Sequence, residues 1–436
     1  MNLNTITDYE LYSNEKVICN ILLKLKANKM ADDKKSDSGI IIVADKSGSM
    51  SGSKFDLLKI AIKNIIKSLS SSDLLSIITY DDDVYLDFTI DKVDEINKTK
   101  LNSIVDNLIT GTCTNLSGGL FKAFELINDY KTTNSDDTRN WNILLLTDGI
   151  ANRGIYHPTK LIQYFSKIID SNKLLSNTSI YSFGLGEDHN SELLKNISDI
   201  NKNSYYYIEN SDMIGTAFGD CLGGLLSVVV QNLEIKFNSL YKIKNIYTSF
   251  KVKDDTINVG DLYSEEEKNI IIEIDCDKSD LSEEDILKIK YKYIDLVNTN
   301  LISNKLDVKI TRGKNTEELI INKDVLIQKF RIKAITLMNS MINMTNNSIE
   351  KSIYDFEKEL KDNELLEDLH CKNILDNMKE YLSRNKVNTI DATHCIRSCV
   401  QELCLERSAT TNVNKGNKVY SNSRKNKLAK VFSQNI

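Results

Sequence analysis

The chain reads as an α/β protein: a doubly wound parallel-sheet domain, then an antiparallel β-sandwich domain and a C-terminal helical region. Three observations predict this. Short runs apolar on both faces (39–44, 74–80 and 141–147) alternate with segments whose apolar residues recur at helical spacing. From residue 231 apolar and polar residues alternate one by one, with no helical segments between them. Beyond 315 the helical spacing returns.

Taken in order, residues 16–25 read as a strand, set off by a polar break at 28–38 that contains Asp32, Asp33, Lys34 and Lys35. The run 39–44 stops at Asp45 and has the two-faced apolarity of a central parallel strand. Phe55, Leu58, Ile62, Ile65, Ile66 and Leu69 then mark a helix, 74–80 a second strand, and a further helix begins near Leu116. Residues 141–147 form the third buried strand and end at Asp148-Gly149. A helix over 161–169 and strands over 179–183 and 205–208 complete the unit, placed at 38–228. Strands alternating with helices imply right-handed crossovers.

Segments 233–237, 243–252, 269–275, 287–293 and 306–310 read as antiparallel strands with one solvated face, giving a sandwich at 229–314. The strand at 14–27 has the same character and is expected to pair with that sandwich, making it discontinuous. Helical spacing over 326–344, 349–360, 366–382 and 390–405 fills a region at 315–411. The segment 412–436 holds Lys415, Lys418, Arg424, Lys425, Lys427 and Lys430 with no acidic residue, and reads as a disordered basic arm.

Composition narrows the class. At 436 residues, 41% hydrophobic and 27% charged, the chain has ordinary globular composition and room for two to three domains. The formal net charge is −6, so the basic arm faces an acidic body and nucleic-acid binding is not expected. Pro158 is the single proline where average usage gives about 20. The best apolar stretch, 214–230, contains Asp220 and is shorter than the roughly 20 residues a membrane span needs. No secretory leader is visible at the start. The eight cysteines form no Cys-x-x-Cys pair, so reduced thiols and a cytoplasmic location are expected.

The chemistry concentrates in Asp45-Lys46-Ser47-Gly48-Ser49-Met50, at the carboxyl end of the first buried strand. Open α/β sheets bind ligands outside the carboxyl ends of their strands. One carboxylate and two hydroxyls, each two residues apart, make a patch of hard oxygen donors suited to Mg²⁺. Thr114, just before a helix, and Asp148, after the third strand, sit at equivalent strand ends. Asp45, Ser47, Ser49, Thr114 and Asp148 can therefore converge on one ion from three loops. Two carboxylates neutralise a divalent cation and leave it open to one further anionic ligand, such as a partner's Asp or Glu.

This pattern resembles the von Willebrand factor A (vWA) domain with a complete metal-ion-dependent adhesion site. The family motif of Asp-x-Ser-x-Ser, a Thr, and an Asp in Thr-Asp-Gly is matched by those five residues. The resemblance implies that Ser47 and Ser49 contact the ion directly, Thr114 directly or through water, and the two aspartates largely through water. It implies Mg²⁺ as the cofactor, with Mn²⁺ as a substitute. Residues 217–231, 259–263 and 405–410 are further similar to intracellular eukaryotic A-domain proteins that include plant RING-type ubiquitin ligases. Only Cys19 precedes Asp45, so a RING ahead of the A domain is missing and no enzyme activity is expected.

Other signals carry less. His394, Cys395, Cys399 and Cys404 lack the tight paired spacing of structural zinc sites and read as packed thiols. The loop 48–54 misses the phosphate-loop pattern, because Ser53 separates Gly52 from Lys54. Asp81-Asp82-Asp83 and Glu265-Glu266-Glu267 read as solvated turns, and Tyr205-Tyr206-Tyr207 as a strand with packed aromatics. His189 lies on the same sheet edge as Asp45, but Ser47 and Ser49 are better used as ligands than as nucleophiles. The expected function is a Mg²⁺-dependent, intracellular protein-binding module whose partner presents an acidic side chain. The alternatives are an accessory or substrate-recognition component of a ubiquitin ligase, and a scaffold with a vestigial site.

Overall fold

The computed structural model describes residues 1–31, 37–137, 139–175, 178–298, 300–313, 320–407 and 420–433. The chain divides into two compact units. One comprises Met1–Lys34, Ser227–Val387 and Leu403–Arg407; the other comprises Lys35–Leu226, Asn388–Glu402 and Ser408–Ile436.

The first unit contributes β1 (Asn2–Thr7), β2 (Tyr12–Ser13) and β3 (Val17–Lys26) before the chain enters the second. There follow β4 (Ser38–Asp45), α1 (Ser53–Ser68), β5 (Leu74–Tyr80), β6 (Val84–Lys92), α2 (Glu95–Asp106), α3 (Leu116–Thr133), β7 (Asn140–Thr147), α4 (Pro158–Ser171), β8 (Thr178–Leu185), α5 (Ser191–Asp199), β9 (Tyr205–Ile208) and α6 (Ser211–Leu225). The strands form one sheet in the order β6-β5-β4-β7-β8-β9. Five are parallel, but β6 runs antiparallel to β5, so the sheet is mixed where a parallel one was expected. The β6 sequence escapes a search for buried runs because it is an edge strand, exposed or half-buried except at Phe88.

The apolar run of β4 is explained by its two faces. Ile40, Ile42 and Ala44 join a cluster with Leu58 and Ile62 of α1 and Phe218 of α6. Ile41 and Val43 join another with Leu120 of α3, Phe165 of α4 and Trp141. Each Ile, Val, Leu or Phe side chain among these, when fully buried, contributes about 1.5–3 kcal/mol.

Back in the first unit come β10 (Val228–Ser239), β11 (Lys242–Tyr247), β12 (Val252–Lys253), β13 (Thr256–Tyr263), β14 (Glu267–Cys276), β15 (Glu283–Asp295) and β16 (Asn300–Gly313), then α7 (Lys323–Met341), α8 (Asn346–Asp362) and α9 (Leu369–Asn385). Two sheets result, in the orders β1-β3-β14-β11 and β12-β13-β10-β15-β16-β2. All their pairings are antiparallel except β2 beside β16. One apolar cluster draws Ile21 and Leu23 of β3 and Ile272 of β14 together with Ile235 and Phe237 of β10 and Ile289 of β15.

The helix α10 (Thr389–Leu405) leads into a polar latch of the first unit. Glu266 accepts from Arg407 Nε at 2.6 Å and pairs with Lys268 at 2.6 Å, while the Arg407 guanidinium lies 4.2 Å from the Tyr263 ring centre. Glu406 accepts from the backbone and side-chain amides of Asn269 at 2.6 and 2.7 Å. Glu266 is therefore buried, not part of a solvated turn.

The basic segment also differs from the expected disordered arm. Residues 408–419 and 434–436 lie outside the described residues, but Ser423–Ser433 form α11, which packs on α6 of the same unit. Glycines let the two helices meet closely: a Cβ on Gly223 would stand 2.7 Å from Lys425 Cα. Lys425 Nζ pairs with Asp220 at 3.2 Å, and both side chains are buried.

Candidate metal centre

Asp45 is the last residue of β4, and Asp148 follows the last residue of β7. Thr114 precedes α3, whose N-cap Asn115 accepts from Gly118 N at 3.1 Å. β4 and β7 are parallel neighbours, so their two loops emerge from one sheet edge; Thr114 lies in the loop between α2 and α3, not at a strand end as expected.

Backbone hydrogen bonds tie these loops together. Gly48 N donates to Thr112 O at 3.0 Å and Gly111 N to Lys46 O at 2.6 Å. Thr114 is fixed on both sides: its N–H donates to Asn152 Oδ1 at 2.9 Å, and its carbonyl accepts from the N–H groups of Asn152 and Arg153, each at 3.2 Å. Asp82 accepts from Thr112 Oγ1 and pairs with Arg153, and Asp81 pairs with Lys46 at 3.1 Å. The Asp81–Asp83 run is thus a brace for the site's loops, not merely a solvated turn. Asn152, Arg153 and Asp82 were missed in the sequence because no local spacing links them to Thr114.

Asp45, Ser47 and Ser49 meet within one turn, and the Asp148 charge acts on Asp45. Asp45 accepts from Ser47 N at 2.9 Å and from Thr147 Oγ1 at 2.6 Å. The Ser47 and Ser49 hydroxyls are 3.1 Å apart. Asp148 accepts from Ile150 N at 3.2 Å and lies 3.3 Å from Lys54 Nζ. Asp45, Ser47, Thr114 and Asp148 are buried, whereas Ser49 is exposed, so the patch opens to solvent at the serine turn.

Burial pushes the Asp45 carboxyl up to about 6 despite its hydrogen bonds to Thr147 and Ser47, and the neighbouring Asp148 charge adds to the rise. A buried carboxylate beside another, met mainly by neutral donors, is an arrangement that a cation would relieve. The donor set fits Mg²⁺, being all hard oxygen. Among the described residues no three His, Cys, Asp or Glu side chains gather as a metal cluster, so any ion here would rely on hydroxyls beside the two carboxylates.

The other candidates resolve into packing. His189 is buried, with Nδ1 at Gly186 O (2.6 Å) and Nε2 at the Tyr205 hydroxyl, and its ring stacks on His394 at 4.0 Å. Both its nitrogens are used, and neither is on a serine. Cys399 is buried and Cys395 and Cys404 are half-buried. Tyr205, Tyr206 and Tyr207 are buried in β9.

Comparison with known proteins bears on the same region. Residues 39–219 match the von Willebrand factor type A domain. The E3 ubiquitin-protein ligase WAV3 of Arabidopsis thaliana is 26% identical over 54% of this chain and 30% of its own length. The uncharacterized protein YfbK of Escherichia coli is 24% identical over 57% of this chain and 44% of its own length. The chain thus spans less than half the length of these curated relatives. Among solved structures, the von Willebrand factor type A protein from Catenulispora acidiphila superposes with a TM-score of 0.67 at 13% identity, over 92% of this chain and 96% of that one. The ArnB paralog VWA2 from Sulfolobus acidocaldarius does so with a TM-score of 0.62 at 14% identity, over 92% and 98%. At such identities these structures show the fold alone. No helix among the described residues is long and apolar enough to cross a membrane. Residues 39–219 are thus similar to the vWA domain, and the chain shares the fold of solved vWA structures.

Proposed function

We propose that this protein is a Mg²⁺-dependent protein-binding module whose partner presents an Asp or Glu side chain to the metal centre. Asp45, Ser47, Ser49, Thr114 and Asp148 would hold the ion, with Mn²⁺ as a substitute. The bound ion supplies an electrophilic position for a carboxylate. The chain's own residues do the rest: Thr147 and Ser47 N orient Asp45, Asn152 fixes Thr114, and the exposed serine turn admits the partner.

The observation that carries this reading is the fully buried Asp45 carboxylate, raised by burial and by Asp148, at a patch of hydroxyls open to solvent. The test is binding of the full chain to peptide pools that carry Asp or Glu, against matched pools with Asn or Gln. Capture that needs both the carboxylate and Mg²⁺, and that Asp45→Ala abolishes, is the expected result. Equal capture in EDTA would overturn the reading.

The similarity to the ligase WAV3 favours a second reading, an accessory or substrate-recognition role in ubiquitin transfer. Stimulation of ubiquitin transfer by a RING ligase on adding this chain would support it. No effect on transfer would leave binding alone.

A further inference from the structure

We propose that Lys54 is a built-in competitor at the metal centre: its ammonium holds Asp148 in the ion's absence and moves wholly onto Asp188 when the ion seats. This deepens the metal-binding reading and rests on it. Lys54 lies in the first turn of α1, which begins directly after the serine turn. Its Nζ stands 3.3 Å from Asp148 Oδ2 and 2.6 Å from Asp188 Oδ1, and it donates to Ser49 O at 3.3 Å.

The two carboxylates are unlike. The Asp148 side chain is 0% exposed and that of Asp188 is 64% exposed, while the lysine between them is 15% exposed. The buried carboxylate needs a counter-charge, and the exposed one is already served by water. A divalent ion at Asp148 and an ammonium on the same carboxylate repel each other. Because the nitrogen already touches Asp188, a small rotation removes it from Asp148 while keeping a partner.

The path of the side chain is shaped by the backbone. Gly186 has φ of +81°, and a Cβ there would stand 2.8 Å from Lys54 Cε. A glycine at this place leaves the channel through which the lysine stem runs between the two acids. The charges balance only with the ion, since Asp45, Asp148 and Asp188 outnumber Lys54 without it. Without the ion, Lys54 balances one of the two site carboxylates; with it, Lys54 and Asp188 form a separate neutral pair. The consequence is a moderated metal affinity, so that ion and partner come and go together.

The test is Mn²⁺ and Mg²⁺ titration by calorimetry of the full chain, with melting temperature in EDTA as a second readout. Lys54→Met should tighten metal binding about tenfold, the scale set by one partly buried charge. Asp188→Asn should weaken it by about threefold, because the ammonium then stays on Asp148. The double variant should match Lys54→Met, since Asp188 acts only through the lysine. Lys54→Met should also melt lower than wild type in EDTA, with that deficit erased by Mg²⁺. If Lys54→Met does not fold, Lys54→Gln keeps the stem and serves in its place. Wild type that binds metal while Lys54→Met binds it no tighter would overturn the competitor role alone. No metal binding by wild type or any variant would overturn the metal-binding reading, and the competitor role with it.

Discussion

Each unit buries a cluster of charged side chains, and the two are built to opposite ends. In the latch of the first unit, burial pushes the Glu266 carboxyl up, yet Arg407 and Lys268 more than reverse it, and it falls to about 2. In the second unit, burial pushes Asp45 up to about 6 and nothing reverses it. Glu266 has two cations in contact and Asp45 has an amide and a hydroxyl. The saturated cluster fastens the segment that follows α10, and the undersupplied one is where the proposed cation would act. Buried charge alone therefore does not mark a functional site; buried charge short of counter-charge is the better pointer to one.

Breaking the latch should give the largest effect. Arg407→Met leaves Glu266 with Lys268 alone and should cost about 3–5 kcal/mol, the usual loss when one partner of a buried pair is removed. Denaturant unfolding monitored on the full chain measures it. A loss below about 1 kcal/mol would mean that the cluster is not a latch.

The opposite signs of the two carboxylates give a pH test. Glu266 has its native value below its ordinary 4.5, so its stabilising contribution is present above 4.5 and lost as pH falls toward 2. Asp45 has its native value above its ordinary 3.8, so its contribution is full below 3.8 and lost as pH rises through 6. In EDTA, Asp45→Asn should therefore be more favourable to stability at pH 7.5 than at pH 4, by about 2 kcal/mol for a shift of that size. A pH-independent effect of the substitution would contradict the deficit.

His189 adds a separate acid sensitivity. Burial holds it neutral, down to about 3 from its ordinary 6.5, with His394 adding to the shift. Its contribution is present above 6.5 and declines as pH falls toward 3, so the acid limb of the wild-type stability curve should flatten in His189→Gln.

The seat of α11 should give a smaller effect. Gly223→Ala places a Cβ 2.7 Å from Lys425 Cα and should cost about 1–3 kcal/mol by forcing the helices apart. Proteolysis of the C-terminal segment, faster in the variant than in wild type, reports it. Equal rates would mean that the close contact is not what holds α11.

The vWA-type domain was legible because its signals are local. An apolar run ending in Asp45, and another ending before Asp148, reveal both the strands and the loops that follow them. The edge strand β6 was not, since half its surface faces solvent and its pattern lacks a buried run. The brace at Asp82 and Arg153 and the latch at Glu266 and Arg407 were hidden for another reason. Their partners are 71 and 141 residues apart, and acidic runs look solvated until the cation arrives from elsewhere. The tail misled in the same way: its basic composition reads as disorder, whereas Lys425 is spent on the buried Asp220 and two glycines of α6 admit the helix.

The most direct test of the metal centre is thermal unfolding of wild type and Asp45→Ala in EDTA, in Mg²⁺ and in Mn²⁺. An ion bound to the native state alone raises stability by mass action, about 2.7 kcal/mol at one hundred times its Kd. A metal-dependent rise in the melting temperature of wild type that is absent in Asp45→Ala is the expected result. No rise in wild type, or an equal rise in both proteins, would contradict a metal centre at Asp45.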